Sequence, residues 1–383
     1  MAPLPKRSHT RPQRALDALR YAFRYPTNNR PIRTPSSQAC SKTCHFPYYC
    51  TITLTVSRAA VRPERIQEVL AKPIGIIIPT YNRSAALMEC LAHLERQAFQ
   101  DFEVVVVDDG SSDDTPAQME AYQKRSPLSI RYFRQANSGP AKARNLAISK
   151  LESPLCLMLG DDIFASPTLV ERHLRAHQEN EDIQFAALGL TRWSATGQRV
   201  TPFMRWLDEG NVQFSYPRLL AGTKPGWADF FTSNLSVKTE LVRRFTFNEA
   251  FPYAAMEDME LAYRIQQRLG LEVKFLADAA ADHLHPTTFR RACARMVKAG
   301  YSMGLFYDLW PERRPPLKRG RQQAILEAIA RHPQLLKLLT AALNPIADVL
   351  CPQPFVFYLL SSHFEAGLRS QINGKQRLAP ASE

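Results

Sequence analysis

Ile74-Gly75-Ile76-Ile77-Ile78-Pro79-Thr80-Tyr81-Asn82 is a short apolar run, β-branched apart from Gly75, that stops at a proline and turns polar. A run of that length without polar alternation fits a strand covered on both faces, as in a parallel sheet. The same unit recurs downstream. Residues 104–107 end in Asp108-Asp109-Gly110-Ser111-Ser112, residues 130–133 lead to Asn137-Ser138-Gly139-Pro140, and residues 155–159 end in Gly160-Asp161-Asp162. Helical patterns lie between them. Ser84 is placed to cap a helix over 84–97 with Leu87, Leu91 and Leu94 on one face. Asp113 or Asp114 caps a second helix, and Pro140 stands near the start of a third. Strand and helix in alternation predict right-handed crossovers and an open, mostly parallel α/β sheet flanked by helices. Ligands on such sheets lie outside the carboxyl ends of the strands. Thr80-Tyr81-Asn82, Asp108-Asp109 and Asp161-Asp162 are all expected there, in one crevice.

Further along, residues 185–190, 232–237 and 272–277 read as strands, and Glu257–Leu269 as a helix with Leu261, Ile265 and Leu269 inward. Residues 192–230 look irregular and rich in aromatic side chains. A basic amphipathic helix is expected over 286–309, and two or three more helices over 322–370. Three regions follow: a basic, disordered arm (1–72), a catalytic domain (73–285) and a helical C-terminal region (286–383). Residues 51–56 are a weaker strand candidate inside the arm.

Of 383 residues 45% are hydrophobic and 22% charged, a globular mix, and the net charge is +13. That charge sits at the ends. Residues 1–62 hold eleven basic side chains against Asp17 alone, and residues 313–383 ten against four, which leaves the middle at −3. A nucleic-acid groove in the folded core is therefore not expected. Cys90, Cys156 and Cys293 fall in apolar periodic stretches and read as small buried hydrophobes. Cys40, Cys44 and Cys50 cluster in the arm, where His45 is the one nearby candidate for a fourth metal ligand, and unpaired thiols are the simpler reading. A reducing, cytoplasmic setting is favoured. The first thirty residues lack the apolar core of a secretory signal, although their Arg-rich, acid-poor composition is transit-peptide-like. No run is long and apolar enough to span a bilayer.

Adjacent carboxylates repel unless a proton or cation lies between them. Asp161-Asp162 therefore suits Mg²⁺ or Mn²⁺ bridging to phosphate, although a simple turn would use the same residues. Asp108 and Asp109 can accept from ribose hydroxyls or a base N–H. Tyr81, beside Asn82, can stack on a base. Arg144 is placed to neutralise a diphosphate, and Lys142 reads as solvated helix surface. Glu257-Asp258-Met259-Glu260 opens a helix, where acids are electrostatically favoured in any case; Asp258 is the preferred general base. His283 is as much a metal-ligand candidate as a packed side chain, and His285 reads better as packed or exposed. Trp193, Trp206 and Trp227 are candidate sugar platforms, at least one of them more readily explained by core packing.

The segments Ile76-Ile77-Ile78-Pro79-Thr80-Tyr81-Asn82-Arg83, Val106-Val107-Asp108-Asp109-Gly110-Ser111-Ser112-Asp113, Gly139-Pro140-Ala141-Lys142-Ala143-Arg144-Asn145 and Leu159-Gly160-Asp161-Asp162, in this order, resemble the family 2 glycosyltransferases of GT-A fold. Glu257-Asp258-Met259-Glu260-Leu261-Ala262-Tyr263-Arg264 looks like that family's acidic catalytic segment. The resemblance covers about 73–285. It implies a GT-A fold with a helical C-terminal extension and an inverting transfer from a nucleotide-sugar donor. It also implies a nucleotide- and donor-binding set of Pro79, Tyr81, Asn82, Asp108, Asp109, Arg144, Asp161, Asn234 and Glu257, with uracil held by Tyr81 and Asp109. Asp258 is then the catalytic base, and Asp162 and His283 hold Mn²⁺ or Mg²⁺. The family's acidic motif often begins with an acid that is Leu159 here, which leaves the division of duties between Asp161 and Asp162 open.

A single displacement inverts the anomeric centre; a retaining route would need a further nucleophilic carboxylate, and none is evident. Two rival classes are a non-catalytic nucleotide-binding or scaffold protein on the same fold, which has no need of Asp258, and a dinucleotide oxidoreductase. The latter lacks its Gly-x-Gly-x-x-Gly after the first strand. Lys318, Arg319 and Arg321 precede the last helices, near Phe355, Phe357 and Tyr358. That layout suits either a helical cap on the catalytic domain or peripheral contact with the cytoplasmic face of a membrane. The implied acceptor is a saccharide or a lipid-linked envelope precursor.

Overall fold

The computed structural model of the chain describes residues 71–210, 212–315, 321–372 and 374, with the side chains of 321–323 excepted. The strand candidate at 51–56, the cysteines and histidine of the arm, Lys318 and Arg319 all lie outside the described residues.

Strands β1 (Ile74–Thr80), β2 (Phe102–Asp108) and β4 (Leu155–Leu159) are buried almost throughout. Successive residues feed opposite faces. Ile77 and Val105 pack with helix α3 (Pro140–Lys150), whereas Ile76, Ile78 and Val104 pack with helix α1 (Ser84–Glu95). This is why the sequence shows continuous apolar runs instead of alternation. Strand β3 (Ser129–Arg134) forms one edge and is half-exposed, with charged residues among its apolar ones.

Eight strands share one sheet, with β5 (Ile163–Ala165), β6 (Phe185–Trp193), β7 (Asn234–Lys238) and β8 (Glu272–His283), in the order β3-β2-β1-β4-β7-β6-β8-β5. The half β3-β2-β1-β4 is parallel, as expected. Beyond β4 the sheet is mixed: β7 runs antiparallel to both β4 and β6, and β5 antiparallel to β8. β8 is twice the length that its sequence suggests, because the pairing with β6 skips from Gly189–Leu276 to Leu190–Ala280 and then resumes. That irregularity carries β8 on to His283, opposite Ile163, the residue after Asp162.

The helix α2 (Thr115–Arg125) is capped from Asp113, whose carboxylate accepts from the N–H of Thr115. Ser84 is the first helical residue of α1 and not its cap; Asp113 accepts from its N–H instead. The stretch 192–230 is less irregular than its composition suggests. It contains α5 (Pro202–Glu209), α6 (Tyr216–Leu220) and a 3-10 turn (Trp227–Asp229). After α4 (Leu169–Glu179), α7 (Thr239–Arg244) and α8 (Glu257–Leu269), the C-terminal region is α9 (Phe289–Leu309), α10 (Arg321–Ala330), α11 (Pro333–Leu350) and α12 (Gln353–Ile372). Close approach of α9 to α12 requires glycines: a Cβ on Gly300 would lie 1.9 Å from the carbonyl oxygen of Phe364, and one on Gly367 2.0 Å from that of Val297.

Candidate active site

The carboxyl ends of β1, β2 and β4 deliver the expected polar clusters to one edge of the sheet. The Asp109 N–H donates to the Thr80 carbonyl at 2.9 Å, and the Thr80 hydroxyl donates to Asp161 Oδ2 at 2.8 Å. Asn82 has φ 52°, a left-handed conformation that asparagine tolerates better than most residues. The turn brings Arg83 back across the edge, where its Nη1 donates to Asp161 Oδ1 at 3.3 Å and to Asp162 Oδ2 at 2.8 Å.

Asp162 is the centre of the second cluster. Its Oδ2 lies 3.3 Å from His283 Nε2 and 3.1 Å from His285 Nδ1, and one ligand atom from each of the three residues falls within 4.8 Å of the others. Burial works against the charge on Asp162, but His283, the two histidine hydrogen bonds and Arg83 overcome it and hold the carboxyl well below its usual range. Asp161 goes the other way. Burial, with Asp162 adding to it and Arg83 opposing, pushes it up to about 6. Two imidazoles and an ionised carboxylate form a mixed N/O donor set that fits a divalent cation. His285, read from sequence as packed or exposed, is half-buried and lies in this cluster, and burial keeps it below its ordinary value.

At the start of α8 a second pair of carboxylates is held. Glu257 is buried, its Oε1 accepting from Arg144 Nη1 at 2.8 Å, while its Oε2 has no hydrogen-bond partner. Half-buried Asp258 accepts from the N–H of Met259 at 2.8 Å and from the backbone of Thr232. Burial and the charge of Glu257, partly offset by Arg144, push Asp258 up to about 7. The two clusters are joined by one dipeptide: Thr232 binds Asp258, and the carbonyl of Ser233 accepts from the N–H of Gly160, which precedes Asp161. Arg295 of α9 shares the electrostatic field of Asp162, Glu257 and Asp258.

Other expected residues have different surroundings. Asp108 is fully buried, with Oδ1 accepting from the Ser111 N–H and Oδ2 from the Tyr132 hydroxyl, each at 2.7 Å, so it shapes the turn beneath the crevice. The Asn82 side chain does similar duty, its Oδ1 accepting from Ser112 N–H at 2.7 Å. Asp109 accepts from Gln135, from Ser138 N–H and from Gly139 N–H, which uses three of its four acceptor positions. Tyr81 is 46% exposed at the strand end, and Pro79 half-buried just below it. Asn234 is fully buried, donating to the carbonyls of Leu190 and Ala279 and accepting from His173 Nε2. Trp206 and Trp227 are core residues, the latter stacked on Phe306. Trp193 stacks on His283 at 5.3 Å.

Arg83 and Arg295 carried no functional reading from sequence. The signal for Arg83 was its place directly after an asparagine at a strand end. Arg295 gave none beyond the basic character of its helix.

A glycosyl transferase family 2 model matches residues 75–223. Validoxylamine A glucosyltransferase of Streptomyces hygroscopicus subsp. jinggangensis is 42% identical over 108 residues, 27% of this chain and 25% of that protein. The uncharacterized glycosyltransferase YfnE of Bacillus subtilis is 27% identical over 257 residues, 56% of this chain and 65% of that protein. The chain thus spans about a quarter of the first relative's length and just under two thirds of the second's. Among solved structures, the mannosyltransferase PcManGT of Pyrobaculum calidifontis, in complex with GDP-Man and Mn²⁺, superposes with a TM-score of 0.52 at 17% identity, over 80% of this chain and 89% of that one. At that identity the likeness speaks for the fold, GT-A, alone.

Proposed function

We propose, from the match of residues 75–223 to the glycosyl transferase family 2 model, that the chain is an inverting glycosyltransferase moving a sugar from a nucleotide-diphosphate donor to a hydroxyl acceptor. The observation that carries this reading is the tether through Thr232-Ser233. It links Asp258, a carboxyl at about pKa 7, to the turn at Gly160 that carries Asp162 of the Asp-His-His cluster, which supports a shared site.

Tyr81 stacks on the base, and the remaining acceptor position of Asp109 takes a base N–H, as uracil offers. Asp161 accepts from the ribose or donor sugar. The unpartnered Oε2 of Glu257 accepts a donor-sugar hydroxyl, while Arg144 fixes its carboxylate. Asp162, His283 and His285 would hold Mn²⁺ or Mg²⁺, which would supply positive charge against the leaving diphosphate. Arg83 and Arg295 face the same charge. Asp258 removes the proton of the acceptor hydroxyl as that oxygen attacks the anomeric carbon from the side opposite the diphosphate. One displacement gives inversion.

A UDP-sugar donor and a saccharide or lipid-linked acceptor of envelope polysaccharide or glycolipid synthesis complete the reading, in a cytoplasmic setting. The buried free thiols of Cys90, Cys156, Cys293 and Cys351 accord with a reducing compartment. The test is a panel of UDP- and GDP-sugars scored for donor hydrolysis with Mn²⁺, with Mg²⁺ and with EDTA. Metal-dependent hydrolysis of one donor is the expected result. Nucleotide binding without turnover on any donor, across a broad acceptor panel, would favour the scaffold alternative instead.

A further inference from the structure

Helix α11 has two apolar faces and only one is covered. Leu336 and Ala347 are buried against the C-terminal core. Leu335, Leu338, Leu339, Ile346, Val349 and Leu350 are exposed. Their offsets of 3, 4, 11, 14 and 15 residues from Leu335 put all six on one side of a helix of 3.6 residues per turn. Phe355, 66% exposed at the start of α12, follows directly. Most of the large hydrophobic side chains exposed among the described residues belong to this one stretch. A monomer rarely leaves so concentrated a patch to water without a use for it.

The charge balance of the C-terminal region selects the occupant of the patch. The acids of the described C-terminal helices are engaged within the fold. Glu327 pairs with Arg331 and Arg369, Glu365 pairs with Arg369, and Asp348 accepts from the N–H of Phe289. Lys337 is exposed on α11 itself, and the exposed Arg331 and Arg314 pair with Glu327 and Asp308. The chain adds Lys318, Arg319 and Arg321 ahead of the helix, and residues 1–62 carry eleven basic side chains against one acid. An exposed apolar helical face in a region, residues 313–383, with ten basic side chains against four acidic ones complements an anionic lipid surface, and stable anchoring takes two signals, here the apolar face and that excess of positive charge. No described helix is long and apolar enough to cross a membrane, so contact would lie in the interface plane.

We propose that the exposed face of α11, with Phe355, docks the protein on an anionic lipid leaflet. The proposal deepens the glycosyltransferase reading by placing a lipid-linked acceptor at the same surface, but the docking itself does not depend on catalysis. The experiment is therefore a binding one: co-sedimentation of the full chain with phosphatidylcholine vesicles, with and without phosphatidylglycerol, at low and high salt. The chain is expected to sediment with the anionic vesicles, less at high salt and little with the neutral ones. Leu338→Glu combined with Val349→Glu should lower vesicle affinity about tenfold or more. A Leu338→Trp variant should show a blue-shifted emission increment on vesicle addition, which reports insertion even if the double variant folds poorly. Binding unchanged in Leu338→Glu/Val349→Glu would assign the attraction to the basic segments and overturn the proposal. So would an absence of binding at low salt, or a dimer in light scattering that the same double variant dissociates, since the face would then belong to a second copy of the chain.

Discussion

Asp258 is held in a conflict that serves its proposed chemistry. Burial and Glu257 raise it to about 7 from an ordinary 3.8, so near neutral pH it is a base of useful strength instead of an inert carboxylate. Transfer should therefore rise with pH along a limb with an apparent pKa near 7. Asp258→Asn should cut transfer about a hundred- to ten-thousand-fold while nucleotide-sugar binding, followed by calorimetry, persists. The same shift makes a stability prediction. A carboxyl whose folded pKa lies above its unfolded value penalises the fold as pH rises above about 4, and fully above about 7. Asp258→Asn removes that penalty, so its thermal midpoint at pH 8 should exceed that of the parent chain. The residue was legible in sequence because an acid pair opening an amphipathic helix is a local pattern. Asn234 was not legible in the same sense. Its segment matches a family pattern, but its environment is set by α4, 61 residues away along the chain from His173 to Asn234.

At the scale of elements, that buried asparagine belongs to a chain of hydrogen bonds between α4 and β7. Asn234 spends its amide N–H groups on two carbonyls, so its oxygen accepts from His173 Nε2. His173 Nδ1 must then accept from the Ser236 hydroxyl at 2.8 Å, and Ser236 accepts from His177 Nε2 at 2.9 Å. Every proton in the chain is placed with both imidazoles neutral. Burial holds His173 at about 4 and His177 at about 3, against 6.5 for an ordinary histidine. Below pH 6.5 the unfolded chain takes up protons that the fold refuses, so stability falls with pH, by on the order of 2 kcal/mol per histidine between pH 6.5 and 5. Asp161 and Asp258 titrate in the opposite sense, and a comparison of urea midpoints between the parent and His177→Leu isolates the histidine contribution; the variant should show the shallower acid loss. The helical elements were read from periodicity, but the pairing of α9 with α12 was not. Gly300 and Gly367 look like weak points in a helix pattern, and only the facing backbone shows that they permit contact. Gly300→Ala places its methyl against the Phe364 carbonyl and should cost about 1–3 kcal/mol in urea denaturation.

For the molecule as a whole, the sheet is two halves with different legibility. The parallel half β3-β2-β1-β4 could be read because β1, β2 and β4 are buried on both faces and every strand leads into a polar turn. In the mixed half β6, β7 and the first part of β8 were read as strands, but the antiparallel pairing of β7, the three-residue β5 and the register jump in β8 were not, since they depend on neighbours distant in sequence. The proposed cation site lies on the seam. Asp162 follows the last strand of the parallel half, whereas His283 ends β8, and the two meet only because β5 pairs Ile163 with His283. A cation held by all three side chains would bind the folded arrangement and not the unfolded chain, and so would stabilise the fold by mass action. Mn²⁺ is expected to raise the thermal midpoint of the parent chain in the absence of any nucleotide, and EDTA to reverse the rise. His285→Ala should need a higher Mn²⁺ concentration for the same shift, and Asp162→Asn should abolish it. An equal shift in Asp162→Asn would mean that the ion binds elsewhere, and the seam would then be a hydrogen-bonded joint between Arg83 and the histidines and not a metal site.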